Sequence, residues 1–374
     1  MRKNTLAVLA VGTGLVLALT ACGANSSSSG SSGGSTTAAS GGSGPKVGVI
    51  LPETATSARW EEFDHPMLEA ALKAQGLDPI IENAQGDDQK FSQIADSMLS
   101  QKVKVLIIGA TNSATGAAVE QKAETQGVPV IDYDRLNLGG SAKYYVSFDN
   151  VKVGALQGQA MADSLKSKPG AQVIEIEGAP TDNNATLFHQ GQEQVVGPLY
   201  QNGTLKLVSS RAIDNWDNPT GGTVFEQLLT ANGGKVDGVL AANDGLAGAI
   251  ITVLQKDGLA GKVPVTGQDA TAAGLQDILE GLQYSTVFKP IKQEADSAAQ
   301  LAGALIKGDT AGANKIASQT STDPTGHRTV ASVLLNPVSI TKANVKLVVT
   351  QGYVKASDIC GGAAAAACTS LGIS

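Results

Sequence analysis

Aromatic residues make up only 4% of the 374-residue sequence, and histidine (three), cysteine (three) and tryptophan (two) are scarcer still. The histidines, His65, His189 and His327, are scattered, and the chain has no Gly-x-Ser-x-Gly elbow, phosphate-binding loop or His-Glu-x-x-His pair. Without a poised nucleophile or base, the sequence argues against an enzyme. No strand-like run leads into Gly-x-Gly-x-x-Gly, so the usual dinucleotide site is absent and no cofactor is expected. The oxygen-rich stretch Asp214-Asn215-Trp216-Asp217-Asn218 lacks the alternating ligands and distant Glu of a calcium loop, so no metal site is expected either. Apolar runs are also short. The longest, residues 6–19, is broken by Gly12 and Gly14 and falls below the roughly 20 residues a membrane-spanning helix needs.

That run is nevertheless informative by position. Arg2 and Lys3 precede it and small residues follow, which is the layout of a secretory signal over residues 1–22. Leu19-Thr20-Ala21-Cys22 at its end resembles a bacterial lipobox, and the resemblance implies that Cys22 is lipidated and anchors the chain to the outer face of the cytoplasmic membrane. Residues 23–45 are an uncharged Gly/Ser/Thr/Ala stretch with no large apolar side chain, unable to bury enough surface to stay ordered. A flexible tether of these 23 residues has a mean span of about 26 Å.

The body from Lys46 onward, about 330 residues, exceeds what one core usually holds and suggests two domains. Without Arg2 and Lys3, 25 basic side chains face 34 acidic ones, which makes nucleic acid a poor partner. A repressor would carry a helix-turn-helix where the signal and tether stand. In an oxidising compartment Cys360 and Cys368 can close a small loop around the Ala-rich tail, the alternative being two unpaired thiols.

Short Val/Ile-rich runs alternate with amphipathic helical stretches, the mark of parallel α/β structure. Strands are expected at 46–51, 77–83, 103–109, 128–133, 172–177, 205–210, 236–242, 263–268 and 284–288. Residues 91–101 repeat Phe91, Ile94, Ala95, Met98 and Leu99 at helical spacing. Pro66 should delay or bend a first helix over 60–74. Strand-like segments at 329–335 and 345–349 follow a helix at 291–306, so the chain should cross repeatedly between lobes. The expected division is 46–150 plus about 290–332 for an N-terminal lobe, and 151–289 plus about 333–374 for a C-terminal lobe.

Open parallel sheets bind ligands beyond the C-terminal ends of their strands. There the sequence places Arg59, Trp60, Asp134, Arg135, Asp182, Asn183, Asn184, Asp214, Trp216, Asp217, Asn243, Asp244, Asp269 and Lys289. Planar carboxylates, amides and guanidinium groups can bond adjacent hydroxyls in a fixed fork, and an indole packs on the apolar face of a sugar ring. Taken singly, each residue has a plainer role, since Asp and Asn cap helices and Trp fills cores.

Asp132-Tyr133-Asp134-Arg135, Val146-Ser147-Phe148-Asp149-Asn150, Asp182-Asn183-Asn184-Ala185, Ala242-Asn243-Asp244, Gly267-Gln268-Asp269-Ala270 and Phe288-Lys289-Pro290-Ile291 together resemble the sugar-binding proteins of ABC importers, the type I periplasmic binding proteins. The likeness runs in order from residue 46 to about 352 and leaves the Cys360 to Ser374 tail unaligned. Arg59-Trp60, with Asp182-Asn183-Asn184-Ala185 and Lys289, is closest to the D-xylose binders. The resemblance implies two similar doubly wound parallel-sheet lobes joined by a multi-crossing hinge. It implies that Arg59, Arg135, Asp182, Asn184, Asn243, Asp269 and Lys289 hydrogen-bond the sugar while Trp60 and Trp216 sandwich it. Asp134 is expected to orient Arg135. Three cations against Asp134, Asp182 and Asp269 leave no net charge to demand an ionic ligand. The partners implied are a monosaccharide, D-xylose first, and an ABC transporter permease that recognises the closed monomer; the alternatives are another aldose (glucose, arabinose, ribose or galactose) or a sugar-sensing role toward a membrane receptor.

Overall fold

The structure is a computed structural model and describes residues 44–374, so Cys22 and nearly all of the tether lie outside the described residues. Its strands are β1 (Lys46–Leu51), β2 (Asp78–Asn83), β3 (Val105–Ile108), β4 (Val130–Tyr133), β5 (Tyr144–Phe148), β6 (Ala171–Glu177), β7 (Leu205–Ala212), β8 (Gly238–Ala241), β9 (Ser285–Phe288), β10 (Gln319–Asp323), β11 (Arg328–Leu335) and β12 (Val338–Thr341).

Seven of them form one sheet in the order β10-β11-β5-β4-β3-β1-β2, and three form a second in the order β7-β6-β8. Strands β1, β3, β4 and β5 are buried almost throughout, which is why they read as unbroken apolar runs: helices cover both faces of a parallel sheet. Apolar clusters accordingly lie on the two faces of the first sheet, one around Trp60, Leu68 and Leu301 and another around Phe91, Met98 and Val119.

Several expectations are corrected. The sheets are not wholly parallel, since β10 pairs antiparallel with β11 and β9 with β12. Residues 263–268 form no strand but one bridge, Val265 to Val239, because Pro264 has no N–H to give to a ladder. Residues 345–349 are mostly helical (Lys346–Thr350); the strand at that crossing is β12 instead. Strand β11 stays paired with β5 as far as Leu335.

Other features match. Residues 60–64 form a wide turn and the regular helix starts at His65, with Pro66 in its first turn, where a missing N–H does no harm. Phe91, Ile94, Ala95, Met98 and Leu99 are the buried stripe of Asp88–Ser100. The helix Ile291–Ile306 packs against β3, β4, β5 and the helix His65–Ala74, so the chain does return to the first sheet. Cys360 and Cys368 are disulfide-bonded, with Cα atoms 5.7 Å apart. The bond closes the tail over Leu275, Leu279 and Phe288. No helix among the described residues is long and apolar enough to cross a membrane.

Candidate functional site

The loops after β1, β4, β6, β7, β8 and β9, with the segment that follows the Val265 bridge, converge on one small cavity of about 30 Å³. Arg59, Trp60, Asp134, Arg135, Asp182, Asn184, Trp216, Asn243, Asp269 and Lys289 all line it, joined by Glu53, Thr56, Ser57, Phe188 and Gln268. The groups come from both lobes, which touch across the opening. Asn218 Nδ2 donates to Thr56 O at 3.2 Å, and Ser57 Oγ donates to Asp269 Oδ2 at 3.2 Å.

Capping and ligand binding are not exclusive here. Asp182 caps the helix Asn183–Gln201 by accepting from Asn184 N through Oδ1, which leaves Oδ2 for Trp216 Nε1 (3.1 Å) and for Arg135 Nε (3.0 Å). Asn243 caps the helix Asp244–Lys256 through its Oδ1, so its amide nitrogen remains for the cavity. The plainer reading of these residues is thus correct at one end of each side chain only.

Arg59 behaves differently from the expectation. Asp64 takes its Nε and Nη2 at 2.8 and 2.7 Å, Asp134 takes Nη1 at 2.7 Å, and Glu294 takes Nη2 at 3.2 Å. Four of its five N–H groups are spent inside the protein. Asp134 therefore orients Arg59, with Lys289 at 3.6 Å, and not Arg135, to which it makes no hydrogen bond. Burial works against the Asp134 charge, yet Arg59, Lys289 and Arg135 together hold its carboxyl well below the ordinary range. Burial pushes the Asp64 carboxyl up and the Glu294 carboxyl well up, Asp134 adding to both.

Asn184 is similarly committed. Its Nδ2 donates to Asp134 O (2.9 Å) and its Oδ1 accepts from Asn150 (2.9 Å), so it clasps one lobe to the other. Sequence reasoning missed Asp64 and Glu294, and the balanced charge count fails with them: the three cations face Asp64, Asp134, Asp182 and Asp269, before Glu294 and Glu53 are added. Each cation has a carboxylate partner, so nothing in the wall calls for an anionic ligand.

What remains unpartnered is specific. Trp60 Nε1 and Gln268 Oε1 are buried with no partner, while Arg135 Nε and Asp269 Oδ1 have only their ion-pair contacts to Asp182 (3.0 Å) and Lys289 (3.1 Å), and all four residues line this cavity. Buried polar atoms are rarely left so. Three wall residues also hold positive φ without being glycine: Asp134 (62°), Trp216 (57°) and Asp269 (95°). Such strain gathers where side chains must be aimed. The guanidinium carbons of Arg59 and Arg135 lie 4.4 and 5.4 Å from the centroid of the Trp60 ring, while Trp216 meets Phe188 edge to face at 6.4 Å.

The periplasmic binding protein domain model matches residues 47–310. The chain belongs to the periplasmic-binding-protein family. It has the type I fold and is a solute binder, not an enzyme. Among its relatives is the D-xylose-binding periplasmic protein of Escherichia coli K12, 34% identical over 84% of this chain and 92% of that one. A multiple sugar-binding periplasmic protein of Azospirillum brasilense is 36% identical over 83% and 89%. Among solved structures, an ABC transporter solute-binding protein of Clostridium phytofermentans with bound β-D-glucose superposes with a TM-score of 0.77 at 28% identity, covering 84% of this chain and 99% of that one.

Proposed function

We propose that this protein is an exported substrate-binding lipoprotein that captures a neutral monosaccharide, D-xylose first, between two closing lobes and delivers it to an ABC transporter permease. The observation that carries the sugar reading is a buried donor, Trp60 Nε1, and a buried acceptor, Gln268 Oε1, left without partners in a wall whose cations are already neutralised. A polyol offers both donors and acceptors to such a pair and brings no charge. Arg135, Asp269, Lys289, Asn243 and Gln268 are the direct hydrogen-bonding groups, and Trp60 and Trp216 supply the apolar faces. Arg59 and Asn184 act chiefly by holding the wall and the clasp.

The lobes turn about three crossings, after β5, between β9 and the helix Ile291–Ile306, and between β11 and β12. Sugar bonded to both sides favours the closed state by its extra contacts there. Xylose is favoured by the E. coli relative, and glucose is the second reading because the Clostridium neighbour holds it. Cys22 is the proposed lipid anchor.

Both tryptophans line the cavity, so a fluorescence titration with D-xylose, D-glucose, D-ribose, L-arabinose and D-galactose, backed by calorimetry, tests the proposal. Saturation by xylose at the lowest concentration supports it. Preference for another aldose keeps the mechanism and replaces the substrate, and no binding to any of the five overturns the sugar reading.

A further inference from the structure

Away from the cavity, Glu175 and Glu177 stand two residues apart on β6 and so face the same side of the strand. The helix Asn183–Gln201 lies over that face and brings His189 to it. One ligand atom from each of the three lies within 4.8 Å of the other two. Glu175 is fully buried and Glu177 is 6% exposed, yet no Lys or Arg among the described residues pairs with either. The one positive group available is His189, whose Nδ1 is 3.7 Å from Glu177 Oε1.

The hydrogen bonding is incomplete in a directed way. Tyr200 donates to Glu175 Oε1 at 2.8 Å, but Glu175 Oε2 has no partner and neither has the buried His189 Nδ1. The Gln192 amide lies 2.8 Å from Glu177 Oε1 and continues to Gln157 at 2.9 Å. The donors are thus held by neighbours and directed at a shared space, as outer partners orient metal ligands. Proton and cation compete for it: a protonated His189 can serve the carboxylates when no metal is present.

We propose that Glu175, Glu177 and His189 form a binding site for one divalent cation, Zn2+ by its donor chemistry, that pins β6 to the helix above it. One imidazole and two carboxylates leave a fourth position for water, which suits a tetrahedral ion. The half-exposed edge of His189 gives the ion a way in. No sequence spacing announced the site, because the strand pair and the histidine meet only through the fold.

The test is a calorimetric titration of the chelator-treated, untagged protein with zinc chloride at mildly alkaline pH, alongside its melting temperature with and without the metal. One ion per chain and a melting temperature raised by several degrees are expected. His189→Gln, a half-exposed position that should leave the fold intact, is expected to weaken binding by at least about tenfold and remove the shift. Anomalous scattering should place the ion about 2.0–2.2 Å from the three donors. No heat and no shift, or the same response in His189→Gln as in the parent, overturns the proposal.

Discussion

Arg59 and Asp64, five residues apart, meet through two parallel hydrogen bonds of 2.8 and 2.7 Å in a region closed to water. The wide turn at residues 60–64 makes this possible by bringing Asp64 back beneath the guanidinium. Tyr133 donates to the same carboxylate at 2.7 Å, so Asp64 is fixed from two sides. The Arg that the sequence offered as a sugar ligand is therefore the hub of a buried charge cluster.

Arg59→Ala should act first on stability. It strips Asp64, Asp134 and Glu294 of their shared cation, and breaking a buried pair in this way costs about 3–5 kcal/mol. Arg135→Ala removes a cavity-lining group that has one ion pair, to Asp182, against three for Arg59, and should weaken sugar binding by about 2 kcal/mol, roughly 30-fold, with a smaller effect on stability. Urea unfolding and calorimetry on the two variants separate the roles. Equal stability losses would remove the distinction.

Gly178→Ala should disturb Trp216 specifically. A Cβ at that position would lie 2.1 Å from the indole Cη2, and the ring is already held by Asp182 and by a backbone at positive φ. Overpacking of this kind costs about 1–3 kcal/mol. The change should appear as weaker sugar binding and an altered tryptophan emission maximum, with helix content unchanged by circular dichroism.

The disulfide should matter to stability and not to binding. Reduction, or Cys360→Ser with Cys368→Ser, releases a loop of eight-residue separation and removes about 2–3 kcal/mol in the chain-entropy picture. Sugar affinity should stay as it was, because neither cysteine lines the cavity. Thermal unfolding in the presence and absence of reductant, each with a binding isotherm, is the check.

Much of the fold was legible because parallel strands buried on both faces leave unbroken apolar runs, as in β3, and because amphipathic helices leave a stripe such as Phe91 to Leu99. Edge and crossing elements left weaker traces. Strand β10, Gln319–Asp323, is polar and mostly exposed, and residues 345–349 are as apolar in a short helix that buries Val348 as they would be in a strand. The site was legible by loop position, since every residue named beyond a strand end for sugar binding does line the cavity. Its internal wiring was not. Asp64 and Glu294 lie inside segments with ordinary surface-like patterns; the turn at residues 60–64 brings the first to Arg59, and only the packing of Ile291–Ile306 against the first lobe brings the second.

Stability should rise as the medium is acidified from neutral toward the ordinary carboxylate range, and Asp244 is a principal reason. Burial, with the nearby Asp269 contributing, raises its pKa from 3.8 to about 7, although Gln283 and Thr286 stabilise the charged form. The folded protein therefore holds a proton that the unfolded chain releases between those two values, and stability falls with rising pH across that window. Above about 7 both states are ionised and the contribution is flat. Burial pushes Glu175 up to about 7 and Asp277 up to about 6, and both act in the same direction. One proton corresponds to a slope of at most about 1.4 kcal/mol per pH unit. Asp244→Asn keeps an acceptor for Thr271 but cannot titrate, so its urea-unfolding free energy should vary less steeply between pH 5 and 7 than the parent's, by up to that amount. Parallel slopes for the two proteins would mean that Asp244 is ionised in the folded state throughout, with its four hydrogen bonds outweighing the loss of water.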